Sequence, residues 1–194
     1  MPSVYATIDQ LKARLGVADT RDDELLEDTI ESVSRMIDAE CGTRFYVAEE
    51  TRFFTAGGFD AVLVDDLLDV SELATDSGDG MFSTVWTAAD YVLAPYNAQA
   101  EGRPYWKIER ALGGQQTFTK FSRGVRVWGS WGYSSSVPKI VEAVCLREAL
   151  FQFQANTTPY GMTAGDGAVS APPSIAISQQ SRLQLAAFRR AVVA

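Results

Sequence analysis

The spacing of apolar residues changes twice along this chain. It follows a three-and-four step up to about Cys41, a two-residue step from Thr43 to Tyr133, and a three-and-four step again from Pro138. These are the periods of helices and strands, so a β-rich middle between helical ends is expected. The second change is compressed into Val125-Arg-Val-Trp-Gly-Ser-Trp-Gly-Tyr-Ser-Ser-Ser-Val-Pro138. Val125 and Val127 alternate with Arg126 and Trp128 as in a strand, Gly129 and Gly132 permit bends, and Pro138 suits the first turn of a helix.

Thr7-Ile-Asp-Gln10 has the form of a capping box, and Ile8, Leu11 and Leu15 continue it at helical spacing up to Gly16. A stronger helix is predicted from about Asp22 to Cys41, with Leu26, Ile30, Val33, Ile37 and Cys41 on one stripe and Gly42 as its stop. Carboxylates crowd its first turns, where they complement the helix dipole; a metal site would need ligands from elsewhere. A third helix is predicted from Pro138 to about Asn156. Its apolar residues spread beyond one stripe, as in a helix buried in a bundle or between subunits.

Eight candidate strands lie in the middle: Thr51–Thr55, Ala61–Val64, Val70–Thr75, Met81–Trp86, Tyr91–Leu93, Tyr105–Glu109, Gln116–Thr119 and Val125–Trp128. Turn residues separate them, which predicts an antiparallel sandwich or barrel. Residues 158–178 read as a linker rich in Gly and Pro. Beyond it, residues 179–194 place Leu185, Phe188 and Val192 on one helical face, with Arg182, Arg189 and Arg190 adding positive charge. Such a segment either docks on another molecule or folds back on its own domain.

Composition narrows the function. The 194 residues hold no histidine, which removes imidazole bases, His-dependent triads and His metal ligands together. A net charge of −8 opposes a protein that grips phosphates. Two cysteines within helical patterns make no disulfide framework, and a reducing setting is the default. No apolar run is long enough to span a membrane, and the first residues do not form a signal peptide. Asp76-Ser-Gly-Asp-Gly80 lacks oxygen ligands at the third and fifth places of a calcium loop and reads as a hairpin turn. Glu49-Glu50 and Asp65-Asp66 are adjacent pairs whose side chains would point apart on strands, so neither makes a catalytic dyad. Trp86, Trp106, Trp128 and Trp131 are read mainly as core, with a sugar-stacking platform as the alternative. No catalytic residue, metal site or cofactor is expected.

Several stretches together resemble the head–tail connector, or adaptor, proteins of tailed bacteriophages. They are the Tyr5–Leu15 helix, the Asp22-Asp-Glu-Leu-Leu26 start and Ile37-Asp-Ala-Glu-Cys-Gly42 end of the second helix with Arg44 and Phe45, and Leu67-Leu-Asp-Val70. Asp90-Tyr-Val-Leu-Ala-Pro-Tyr-Asn-Ala98, Trp128-Gly-Ser-Trp-Gly-Tyr133, Val137-Pro138 and Leu185-Ala-Ala-Phe-Arg-Arg190 complete the set. The resemblance implies a non-enzymatic virion protein of the neck, made in the host cytoplasm. It would form a ring, commonly twelve-fold, beneath the portal, extend the DNA channel and meet the next neck or tail-completion protein. Double-stranded DNA would pass without specific binding. Twelve copies would carry on the order of −96, which repels phosphates if enough of it lines the channel.

On this reading the fold is α+β. Residues 1–42 and 137–157 form a helical bundle core, and residues 43–136 an inserted antiparallel β-sandwich or barrel-like domain. Residues 158–178 are a flexible linker, and residues 179–194 an extended C-terminal docking arm. Arg182, Leu185, Phe188, Arg189 and Arg190 are expected at the portal, and deletion from Ser178 onward is expected to weaken attachment while leaving the domain folded. Ile140, Val144, Leu146, Leu150 and Phe153 are expected to pack between subunits. Gly129, Trp131, Gly132, Tyr133 and Pro138 are expected to form the junction between insert and core. The alternative function is a carbohydrate- or receptor-binding β-module of a virion, with a carboxylate glycosidase behind it.

Overall fold

In the computed structural model, residues 4–157 and 176–190 are described. The chain divides into two compact units, one from the residues before Arg44 and after Ser136, the other from Arg44–Ser136. Both helices and an antiparallel sheet are present, so the class is α+β.

The first unit holds α1 (Ile8–Leu15), α2 (Asp23–Cys41), α3 (Lys139–Thr157) and a short α4 (Gln179–Leu185) that runs into a 3-10 turn, Ala186–Phe188. The capping box of α1 forms as its sequence predicts: Thr7 Oγ1 accepts from the Gln10 N–H, and Gln10 Oε1 accepts from the Thr7 N–H at 2.8 Å. Gly16 and Gly42 end α1 and α2 in the left-handed conformation. The stripe Leu26, Ile30, Val33, Ile37 and Cys41 is buried throughout. It packs α2 along α3, whose Val141, Val144, Cys145, Leu146, Ala149 and Phe153 are buried as well. Each large aliphatic so placed contributes about 1.5–3 kcal/mol.

The second unit is one open six-stranded antiparallel sheet. Its strands are β1 (Ala48–Phe54), β2 (Ala61–Thr75), β3 (Thr84–Trp86), β4 (Tyr91–Ala94), β5 (Tyr105–Arg110) and β6 (Val125–Trp131). The order is β1-β6-β2-β5-β4, with β3 pairing beside the second half of β2. The sheet is not closed, and this corrects the sandwich or barrel predicted from eight strands. Ala61–Val64 and Val70–Thr75 are parts of one fifteen-residue strand. Asp65-Asp66 looks like punctuation in the sequence, but the chain absorbs it as a register shift between Leu63 and Leu67. Gln116–Thr119 is loop, and only Thr84–Trp86 of the Met81 strand pairs.

One face of the sheet carries the core: Val62, Val64, Leu67, Leu73, Trp86, Ile108, Val125, Val127 and Trp131. Phe118, from the segment expected to be a strand, is buried there and stacks on Trp86 at 4.4 Å between centroids. The Phe118 N–H donates to the Phe59 carbonyl at 3.0 Å. The loop thus supplies apolar cover that a further strand was expected to give.

Candidate interaction surfaces

The C-terminal segment, expected to reach elsewhere, lies against its own helical unit. Ile177 and Leu185 are buried, Leu185 completely. Ser178 caps α4 by accepting from the Ser181 N–H, and its hydroxyl donates to Glu148 Oε1 at 2.6 Å. The Ser178 N–H and the Ser181 hydroxyl also reach Glu148, and Arg147 donates to Ser181 and Gln184. Glu148 is 4 % exposed on the inner face of α3, so its hydrogen bonds come from this segment. Farther along, Arg182 pairs with Glu40 at 3.3 Å, Arg189 pairs with the same carboxylate, and the Arg190 N–H donates to the Cys41 carbonyl at 2.9 Å. Of the five residues expected at the portal, Leu185 is therefore a core residue, and Arg182 and Arg189 are held by Glu40. Phe188 ends the 3-10 turn, half-buried. Residues 158–175 of the expected linker and 191–194 of the expected arm lie outside the described residues.

Removing the segment would bare the Leu185 site and deprive Glu148 of its donors. The expectation that a chain cut before Ser178 keeps its domain intact therefore gives way to expected destabilisation. Sequence reasoning passed over Glu148. The signal was present, because a carboxylate interrupts the otherwise apolar Val141, Val144, Cys145 and Ala149 face of α3.

Val144, Leu146 and Phe153, expected between subunits, are buried within the chain, and Leu150 is half-buried. Ile140 is 50 % exposed, and Phe151, three helical turns on, is exposed as well.

Burial pushes the thiols of Cys41 and Cys145 up to about 11, and the charge of Glu40 adds to the effect at Cys41. At pH 8 only about 0.1 % of such a thiol is thiolate. Iodoacetamide at pH 8 is expected to leave both unmodified in the native protein and to alkylate both in urea, read by intact mass. Rapid native labelling would contradict the burial.

The proposed junction residues have clear local roles, Gly129–Tyr133 within the sheet unit and Pro138 within the helical one. The Tyr133 N–H donates to the Arg44 carbonyl at 2.8 Å, and the Tyr133 ring lies 5.3 Å from Phe45. The incoming and outgoing chain segments of the unit are thereby held side by side. The Gly132 N–H donates to the Asp66 carbonyl, and Trp131, fully buried, donates through its indole N–H to the Glu50 carbonyl at 2.8 Å. Pro138 precedes α3, and its carbonyl accepts from the Glu142 N–H.

The tryptophans divide. Trp86 and Trp131 are buried, while Trp106 and Trp128 are 42 % and 49 % exposed. Trp128 stands opposite Glu72 of β2, whereas β5 meets β2 near Leu63 and Leu67. That separates the exposed pair by on the order of 20 Å along the strand, too far for one stacking platform. Glu50 and Asp65 both bind Arg52, and Glu49 accepts from Ser130. The Asp76 turn is held by three backbone N–H groups, of Gly78, Asp79 and Gly80, donating to its carboxylate. Among the described residues, no group of three or more His, Cys, Asp or Glu is arranged to hold a metal, and no helix is long and apolar enough to cross a membrane.

Comparison with known proteins agrees with the resemblance drawn from the sequence. Residues 5–64, which run through α1, α2 and β1 into β2, match the model of the phage gp6-like head-tail connector protein family. No curated protein matches the chain. A solved structure described as "Neck of empty GTA particle computed with C6 symmetry" contains a chain with a similar fold. The likeness covers 100 % of this chain and 93 % of that one, at 16 % identity and a TM-score of 0.58.

Proposed function

We infer that this chain is a structural head–tail connector, working in the neck of a tailed-phage-like particle. The family match over residues 5–64 carries the reading, and the likeness to a chain of a neck particle along its whole length supports it. The finer proposal is a ring of copies below the portal that extends the DNA channel and joins the head to the next neck or tail protein. A six-fold or twelve-fold ring suits the symmetry under which that neck was computed. The charge of −8 per copy suits a channel wall that lets DNA slide.

The C-terminal segment is proposed to meet the portal as a docked element. Arg182 and Arg189 keep 48 % and 47 % of their side-chain surface exposed while they pair with Glu40, so one face of the docked segment stays available. The junction around Gly129–Tyr133 is proposed to fix where the sheet unit leaves the helical unit.

Imaging of particles that contain this protein tests the proposal. A ring of copies between the capsid vertex and the tail is the expected result. Finding the chain in fibres, in the capsid shell or outside the particle would overturn the connector reading. A ring whose lumen is lined by Lys and Arg would overturn the sliding argument alone.

A further inference from the structure

The sheet face opposite the core carries a patch that the connector reading leaves unused. Strand register places Phe53 of β1 opposite Arg126 of β6, Arg126 opposite Ala74 of β2, and Ala74 opposite Val85 of β3. One row thus crosses four strands on one face. In the next row Thr51 faces Trp128, and Trp128 faces Glu72. Phe53, Val85 and Trp128 are 39 %, 54 % and 49 % exposed. The Phe82 ring lies 5.5 Å from that of Phe53, with the Arg126 guanidinium over Phe82 and that of Arg123 over Phe53.

Two features separate this patch from ordinary exposed apolar surface. Phe82 at φ 50° and Arg123 at φ 57° are the two non-glycine residues with positive φ among the described residues, and both deliver their side chains here. That conformation is disfavoured for residues with a Cβ, and such strain gathers at sites of function. The second feature is charge. Arg123 and Arg126 bring two guanidinium groups to this face, on a chain of net charge −8, while Lys120 lies over the Phe59 ring. Arg126 is paired with Glu72, but Arg123 is exposed and has no ion pair among the described residues.

The complementary surface is on the same protein. Early in α2, Glu24, Glu27, Asp28 and Glu31 are exposed and have no ion pair among the described residues, and Leu25, at the edge of the acidic face they form, is 40 % exposed. We propose that the Phe53–Phe82–Val85–Trp128 face of one copy, with Arg123, receives the acidic outer face of α2, with Leu25 at its edge, from a second copy. The inference rests on the ring reading. Two different faces meeting make a head-to-tail contact, the kind that closes rings, whereas a two-fold dimer joins like to like.

A photo-reactive phenylalanine analogue placed at Val85 of the full chain tests this in the assembled complex. Labelled and isotopically heavy chains are mixed before assembly. Adducts between position 85 and the α2 peptide of the other isotope are expected. Adducts confined to the same copy, adducts to a different protein, or none in an assembled ring would overturn the contact while leaving the connector reading intact. Absence of any assembly would remove both. As a second measurement, Arg123→Glu is expected to reduce the assembled fraction about tenfold, and Glu27→Lys/Asp28→Lys in the same chain to restore most of it. Unchanged assembly of Arg123→Glu, or a loss that the helix reversal does not repair, would count against the pairing.

Discussion

Replacing Leu185 with alanine is expected to destabilise the helical unit by about 3 kcal/mol, within the ~2–5 kcal/mol range for leucines removed from packed cores. Leu185 has no exposed surface, and it is reached only by a chain that returns from a long connection to lie on α2 and α3. If the C-terminal segment were a free arm, the same change would cost a few tenths of a kcal/mol. Leu183, two residues earlier and 72 % exposed, is the internal control and is expected to change stability by less than about 0.5 kcal/mol. Deleting the chain from Ser178 goes further, because Glu148 then loses its hydrogen-bond donors as well as its cover. Denaturant unfolding followed by far-UV circular dichroism measures all three variants. Cys41 supplies an independent signal: it sits at the segment's far end, where the Arg190 N–H binds its carbonyl. Faster alkylation of Cys41 than of Cys145 in the truncated chain is expected. A truncated protein as stable as the full chain would return the segment to the status of a free arm.

What the sequence makes legible follows the range of the interactions involved. The capping box at Thr7, the left-handed stops at Gly16 and Gly42 and the stripe from Leu26 to Cys41 are each specified within a few turns of chain, and each forms as predicted. The single sheet was misjudged because Asp65-Asp66 breaks the alternation. Two carboxylates in a row resemble a turn unless one knows that Arg52, on another strand, binds Asp65 and that the ladder slips there. The Glu148–Ser178 pair lies thirty residues apart across a stretch with no periodic signal. The patch around Phe53 and Arg123 depends on strand register and on two residues of positive φ, neither of which composition reveals. The family resemblance draws on many weak local features at once, and residues 5–64 match the model of the same family.

Gly129 and Gly132 carry the second large expected effect. A Cβ on Gly129 would stand 2.1 Å from the Asp69 carbonyl oxygen, and one on Gly132 would stand 2.5 Å from the Tyr46 carbonyl oxygen. Both obstacles are backbone, so no side-chain rotation relieves them. Gly129 pairs with Glu50 of β1 on one side and Val70 of β2 on the other, so β6 cannot move aside without parting from a neighbour. Gly132 also has φ 148°, a conformation that residues with a Cβ rarely adopt. Gly129→Ala is expected to cost more than about 4 kcal/mol, the class of effect reserved for severe overpacking or broken pairing. Gly132→Val is expected to follow closely. Displacing residue 132 would also pull on the bond from Gly132 to Asp66 of β2 and on the bond from Tyr133 to Arg44, which holds the two ends of the sheet unit together. Limited proteolysis read by mass spectrometry is expected to show early cuts between Arg44 and Ser136 in both variants. If the folded Gly132→Val protein resists cleavage there and still assembles as wild type does, these glycines do not fix the geometry on which assembly depends.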